Sequence, residues 1–287
     1  MPSRPPTTPS LSTQPRNSDP TGNAGLRPLR PEDLRPERLR MAGIDAVILD
    51  FDGTLAESSG VWKEVDRIFF ERRDLTFGPD YAERLSVLGF EDGARYTIEA
   101  YGLPDTVEQI CAEWNELGRE LYRDRVTLRP GVKAYLRALR GEGVPYALAT
   151  TNAPEVVRAL EPRLPISELF PVRVHGREVT HHTKDDPDIY LEAARRLGIL
   201  TSEEAEALHV DMAADPATPA PASASATARV RAALGRCLVF EDILPAIQTA
   251  RRIGMRPVGV KTRSSHQDFA TIQQAADLTI TGWEGLA

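Results

Sequence analysis

The apolar and polar positions of this chain follow two different periods. Ala46–Leu49 is a run of four apolar residues and reads as a strand buried on both faces. From Val61 to Arg73 the period lengthens, with Val61, Val65, Ile68 and Phe69 at helical spacing. Further helical segments are predicted over about 80–89, 91–101 and 105–124, with Gly102-Leu103-Pro104 as punctuation between the last two. No strand pattern interrupts this block. Arg129-Pro130-Gly131 breaks it, and a helix over Val132–Arg140 stops near Gly141 and Gly143. Strands and helices then alternate. The strands are Tyr146–Thr150, Val172–Val174, Leu238–Phe240, Pro257–Val260 and Leu278–Ile280; the helices are Glu155–Leu164, Asp188–Leu197 and Leu244–Ile253. Such alternation predicts an α/β fold with a doubly wound parallel sheet. It assigns 44–61 and 127–287 to a core and 62–126 to a small helical cap inserted after the first strand. Flexible hinges are expected near Gly60 and Pro130-Gly131.

Two stretches carry neither period. Residues 1–40 hold nine prolines and seven arginines among four acids, so 1–43 is predicted to be a disordered tail. Met41 stands at a natural start for the folded part. Residues 213–228 contain only Ala, Asp, Pro, Thr and Ser, which predicts a disordered insertion within the core. The remainder is ordinary globular sequence, 41% hydrophobic and 27% charged. A net charge of −7 gives no basic field for nucleic acid. Two cysteines far apart, with no CxxC, argue against a disulfide scaffold or a zinc site, and fit a reducing cytoplasm. No apolar run is long enough for a membrane span, and no secretory leader is expected. The sequence carries no signal for an oligomeric state.

The chemistry-bearing residues gather where strands end. Asp50 and Asp52 follow the first strand and, two apart in extended chain, share a face while Phe51 points the other way. Gly53 permits a sharp turn. Carboxylates at the carboxyl end of a buried strand are costly unless they hold a cation or do chemistry, and open α/β sheets keep their active sites there. The second strand of the core ends in Thr150-Thr151-Asn152, donors suited to phosphate but also good helix caps. Lys184 stands before a helix, where a solvated charge is the ordinary reading. Glu241-Asp242 follow Leu238–Phe240, either as site acids or as an acidic start to the next helix. Adjacent His181 and His182 lack the spacing of a shared metal site.

Asp50-Phe51-Asp52-Gly53-Thr54-Leu55 resembles the first motif of the haloacid dehalogenase (HAD) superfamily in its phosphatase form. Thr150 resembles the second motif, and Lys184 with Pro187, Asp188 and Tyr190 the third. Glu241-Asp242 resembles the fourth, with Ile243 where a small residue, often Ser, is usual. The helical insertion is similar to the small cap of the β-phosphoglucomutase-like and phosphoglycolate-phosphatase-like branch. The resemblance implies a Rossmann-like core and a Mg²⁺-dependent phosphatase acting on a small phosphorylated metabolite through an aspartyl-phosphate. Asp50 would be the nucleophile, Asp52 the acid and base, and Thr150 and Lys184 further catalytic residues. Phe51, Gly53, Thr54, Thr151 and Asn152 would bind phosphate. Asp50, Asp52 (through its carbonyl), Glu241 and Asp242 would hold the metal. Cap residues Lys63, Arg67, Arg72, Arg73 and Arg95 are candidates for substrate choice, though each also reads as a solvated helix charge. A sugar phosphomutase is the alternative, but mutases of this branch carry a His where this chain has Trp62. A catalytically silent interaction module is expected to lack the nucleophile or the lysine, and a dehalogenase to lack Asp52.

Overall fold

The computed structural model describes residues 26–78, 80–86, 88, 90–213, 224–262 and 268–287. Six strands form one parallel sheet: β1 (Ala46–Leu49), β4 (Tyr146–Thr150), β5 (Val172–His175), β6 (Cys237–Glu241), β7 (Arg256–Val260) and β8 (Leu278–Ile280). Their order is β5-β4-β1-β6-β7-β8. The chain builds outward from β1 through β4 to β5, then crosses over to lay β6 on the other side of β1. The strand order thus reverses beside β1, which opens a crevice at the carboxyl ends of β4, β1 and β6. Register brings those ends level, with Leu49 opposite both Leu148 and Phe240.

Both faces of the sheet are covered, so its central strands are buried throughout. Val47, Leu49, Leu148 and Phe240 pack on one side with Tyr135, Leu139 and Trp283. Ala46, Ile48, Ala147 and Val239 pack on the other with Tyr190, Leu208 and Leu234. The alternation is that of successive strand residues pointing to opposite faces.

Two residues at each end of the helical block pair as an antiparallel ribbon, β2 (Ala56–Glu57) with β3 (Thr127–Leu128). Between them lie α2 (Ser59–Glu71), α3 (Asp80–Ser86), α4 (Phe90–Tyr101) and α5 (Val107–Arg125), numbered after a one-turn helix α1 (Pro36–Leu39). Their faces meet in an aromatic cluster of Phe69, Phe70, Tyr81 and Trp114. Gly60 lies inside α2, and at Gly131 (φ 88°) a Cβ would stand 2.6 Å from the Trp283 carbonyl carbon. Neither glycine is the free hinge expected of it; the chain passes in and out through the ribbon.

The remaining helices are α6 (Val132–Gly141), α7 (Pro154–Arg158), α8 (Ile166–Leu169), α9 (Asp188–Arg196), α10 (Ser202–Ala213), α11 (Ala224–Leu234), α12 (Leu244–Arg252) and α13 (Phe269–Ala275). The helix expected over Glu155–Leu164 is regular only to Arg158. None of the described helices is long and apolar enough to cross a membrane.

Composition misled at two places. Residues 1–25 of the expected tail lie outside the described residues, but residues 26–43 are packed. A 3₁₀ turn over Pro31–Leu34 and α1 bury Leu29, Leu34 and Leu39, and Tyr135 Oη donates to the Leu34 carbonyl over 3.0 Å. The prolines that suggested disorder begin these turns, where a missing N–H costs nothing. In the expected insertion, residues 214–223 lie outside the described residues. Residues 224–228, however, open α11, because alanine is the strongest helix former.

Candidate active site

Asp50, one residue past β1, anchors the site. Its amide donates to Phe240 O over 3.1 Å, which fixes the strand end against β6. Lys184, buried on the loop before α9, donates to Asp50 Oδ1 and to Glu241 Oε1, the latter at 2.6 Å. Tyr190 Oη, in the first turn of α9, donates to the same Glu241 oxygen over 2.7 Å. Oxygens of Asp50, Glu241 and Asp242 lie within 4.8 Å of one another. Three buried carboxylates thus face one ammonium. Burial opposes the charge of Lys184, but Asp50 and Glu241 outweigh it and raise its pKa. Glu241 is pushed up to about 7, by burial first and then by Asp50, against the attraction of Lys184. Burial, then Asp50 and Glu241, raises Asp242 well above the usual carboxylate range.

These acids fit a hard divalent cation. Asp50 Oδ2 and Glu241 Oε2 are buried and find no hydrogen-bond partner among the described residues, so each has lone pairs to offer, as an oxygen-coordinated magnesium requires. Gly53 makes room for the group. Its φ is 78°, and a Cβ there would stand 2.1 Å from Asp242 Oδ2.

Asp52 faces a different environment. Its carboxylate accepts from Asn152 Nδ2 on Oδ2 and from Tyr122 Oη on Oδ1. Burial, and then the charge of Asp50, raises its pKa to about 6. Its side chain is therefore not part of the carboxylate trio, and only its carbonyl remains for the expected metal role. Thr150 Oγ1 accepts from the Asn152 amide over 3.2 Å, which leaves the hydroxyl hydrogen free to donate. The amides of Phe51 and Asp52 donate to no acceptor among the described residues.

A family model for haloacid dehalogenase-like hydrolases matches residues 44–211. The chain belongs to this family. It is similar to a phosphorylated carbohydrates phosphatase of Thermotoga maritima, 26% identical over 157 residues that cover 55% of this chain and 72% of that protein. It is also similar to β-phosphoglucomutase of Bacillus subtilis, 31% identical over 169 residues that cover 54% of this chain and 70% of that one. The crystal structure of CbbY from Rhodobacter sphaeroides in complex with phosphate superposes with a TM-score of 0.64 at 23% identity, covering 85% of this chain and 96% of that chain.

Within this HAD chain, the predicted residues do not all converge. The Gly53 amide donates to Ala56 O over 3.1 Å, so that glycine serves by its lack of a side chain rather than by its N–H. Thr54 is buried, with Oγ1 unpartnered among the described residues and its carbonyl accepting from Trp283 Nε1 over 3.0 Å. Thr151 is exposed, and no hydrogen bond joins its side chain to the site among the described residues. Of the cap cations, Arg67 pairs with Glu64 and Glu71, Arg72 with Glu113, Arg73 with Asp105 and Glu113, and Arg95 with Asp92. The solvated or paired reading describes these four arginines.

Three residues at the site gave no signal in the sequence. Tyr122 comes from the last turn of α5, whose end carbonyls at Tyr122 and Val126 accept from Arg163. Its ring stacks on Phe51 at 6.3 Å and lies 6.0 Å from the Trp62 ring. Arg129, buried, donates from Nη1 to Gly53 O at 2.9 Å and from Nη2 to Lys261 O at 2.8 Å, bracing the loop after Asp50. Trp283 holds the same loop from the carboxyl-terminal end of the chain. Buried polar side chains are committed to particular partners, but sequence spacing cannot say which.

Proposed function

We propose that this enzyme hydrolyses a small phosphate monoester with magnesium as cofactor. The reading rests on one observation: Asp50 and Asp52, two residues apart, meet opposite environments. Asp50 is paired with a buried ammonium, whereas Asp52 has a raised pKa and sits between Tyr122 and Asn152. Neighbouring acids with divergent environments divide nucleophile from acid.

Asp50 attacks phosphorus and forms an aspartyl-phosphate as the ester oxygen departs with the Asp52 proton. Asp52, now a carboxylate, takes a proton from water, which attacks the same phosphorus and returns Asp50 and free phosphate. Lys184, the Thr150 hydroxyl and the amides of Phe51 and Asp52 hold the phosphoryl oxygens as their charge shifts. Asp50, Asp242, Glu241 and the Asp52 carbonyl would hold the magnesium, which when bound offsets the negative charge of the phosphoryl group.

Residues 62–126 act as the cap. Tyr122 supports this, since it carries the helical block onto Asp52, and Trp62 packs behind it. A phosphomutase, the activity named for the B. subtilis relative, would return the phosphoryl group to a sugar and use a His where Trp62 stands; an indole supplies no such base. Buried free cysteines suit a cytoplasmic setting.

A panel of phosphate esters assayed with Mg²⁺ tests the reading. Turnover should vanish in EDTA and return with Mg²⁺. Asp50→Asn should lose on the order of 10³-fold or more in kcat. Unchanged turnover in the chelator refutes the metal assignment, and wild-type kcat in Asp50→Asn refutes the nucleophile.

A further inference from the structure

The two adjacent histidines part company in the fold. His182 Nδ1 turns to Gly176 O at 2.8 Å. His181 instead brings Nδ1 to 3.0 Å from Asp188 Oδ2 and 3.5 Å from Asp186 Oδ2. From α10, His209 places Nδ1 2.8 Å from the other Asp188 oxygen, Oδ1. The two imidazoles lie nearly parallel, 21° apart, with centroids 5.6 Å from each other. One ligand atom from each of His181, Asp188 and His209 lies within 4.8 Å of the other two.

The His209 contact is close but poorly aimed for a hydrogen bond. Its Nδ1 is buried and has no hydrogen-bond partner among the described residues, although a carboxylate oxygen stands beside it. In the tautomer protonated at Nε2, that buried nitrogen has a lone pair to direct elsewhere. Two imidazole nitrogens and one carboxylate oxygen are the donor set of a borderline transition cation rather than of magnesium. A tetrahedral zinc with bonds of about 2.0–2.1 Å sets its donors about 3.3 Å apart, so these three need only small side-chain adjustments. His181 is half exposed and His209 about one-third exposed, which gives an ion a route in from solvent.

We propose that His181, Asp188 and His209 form a second cation site, of the zinc class, distinct from the carboxylates around Asp50. It would join three segments: the loop after β5, the first residue of α9, and α10. Lys184 sits on that loop three residues after His181, so an ion here clamps the segment that carries it. The proposal is independent of the phosphatase reading, because none of its ligands belongs to the site around Asp50.

The test is a Co²⁺ titration of the full chain, stripped of metal and held in millimolar Mg²⁺ to occupy the hard-oxygen site. Four-coordinate Co²⁺ reports itself by visible absorption bands, and Zn²⁺ should displace it. One saturable equivalent is expected in the wild type. His209→Ala and His181→Ala should each weaken it by roughly tenfold or more, and Asp242→Asn should leave it in place. X-ray absorption of the Zn²⁺-loaded wild type, which needs no variant to fold, should show imidazole scattering. No saturable binding, binding that survives both His variants, loss confined to Asp242→Asn, or an all-oxygen zinc shell would each overturn the proposal.

Discussion

Replacing Tyr122 by Phe removes one oxygen and leaves the ring. The stack on Phe51 and the contact with Trp62 survive. The loss is a hydrogen bond to Asp52 and the acceptor that Asn152 Nδ2 uses at 2.8 Å. A hydrogen bond to a carboxylate contributes about 1.5–3 kcal/mol. If the bond forms only with the helical block seated, kcat/KM should fall roughly ten- to a hundredfold. The pH profile tests the assignment more narrowly. Asp52 stands at about 6, raised mainly by burial and then by Asp50, and the Tyr122 hydroxyl is among the groups that lower it. Without the hydroxyl the anion loses support and the pKa rises further. With Asp52 acting first as the proposed acid, the alkaline limb of kcat/KM should move upward, by about one pH unit for each 1.4 kcal/mol lost from the anion. The assay is kcat/KM against pH for an alkyl phosphate, whose departing oxygen needs the proton, with a thermal melt to confirm folding. A limb that stays in place would show that Tyr122 does not touch Asp52 in the working enzyme.

Two further predictions concern stability. Asp66 has no hydrogen-bond partner among the described residues, and burial raises its pKa from 3.8 to about 7. The unfolded chain therefore ionises first, and wild-type stability falls between about pH 4 and 7; Asp66→Asn should be more stable than wild type by on the order of 2–4 kcal/mol at pH 8 but not at pH 4, as urea midpoints would show, and an equal gap at both pH values would contradict it. A chain starting at Met41 should lose at least about 3 kcal/mol, because it gives up the burial of Leu29, Leu34 and Leu39; an unchanged melting temperature would mean that these residues do not pack in solution.

The sheet was legible because a parallel strand must be apolar on both faces, and the candidate site residues stand where that apolar run stops. Tyr146–Thr150 and Leu278–Ile280 are strands with the predicted bounds, and Asp188 opens its helix. The four acids, Thr150 and Lys184 stand at or just beyond strand ends or before a helix, where period and chemistry change together. Tyr122, Arg129 and Trp283 were illegible for a physical reason. Each reaches the loop after Asp50 from 70 or more residues away, through packing that no local period records. The tail was misread because Pro and Arg outnumber the leucines that bury, although the leucines decide the packing. His209 was missed as a partner of His181 because α10 lies beyond another helix in sequence and meets the loop only in the fold.

One residue separates the two acids, and the fold hands them to different parts of the molecule. Asp50 ends a strand locked between β4 and β6, so its partners, Lys184 and Glu241, come from the core and stay with it. Asp52 lies beyond the last paired residue of β1. Its partners are Asn152, which follows β4, and Tyr122, which belongs to the inserted helices. The proposed nucleophile is thus held by the core alone, whereas the proposed acid is completed only when the helical block is seated. A block that lifts away removes the Tyr122 hydroxyl and lets water reach Asp52, so burial and hydrogen bonding, the two influences on its pKa with opposite signs, change together. Losing the hydroxyl raises the pKa and losing burial lowers it. Burial is the larger, so opening should lower the pKa and leave Asp52 less often protonated at neutral pH. In the proposed mechanism seating of the helical block and protonation of Asp52 are one event, so a departing group meets a protonated acid only where water is excluded.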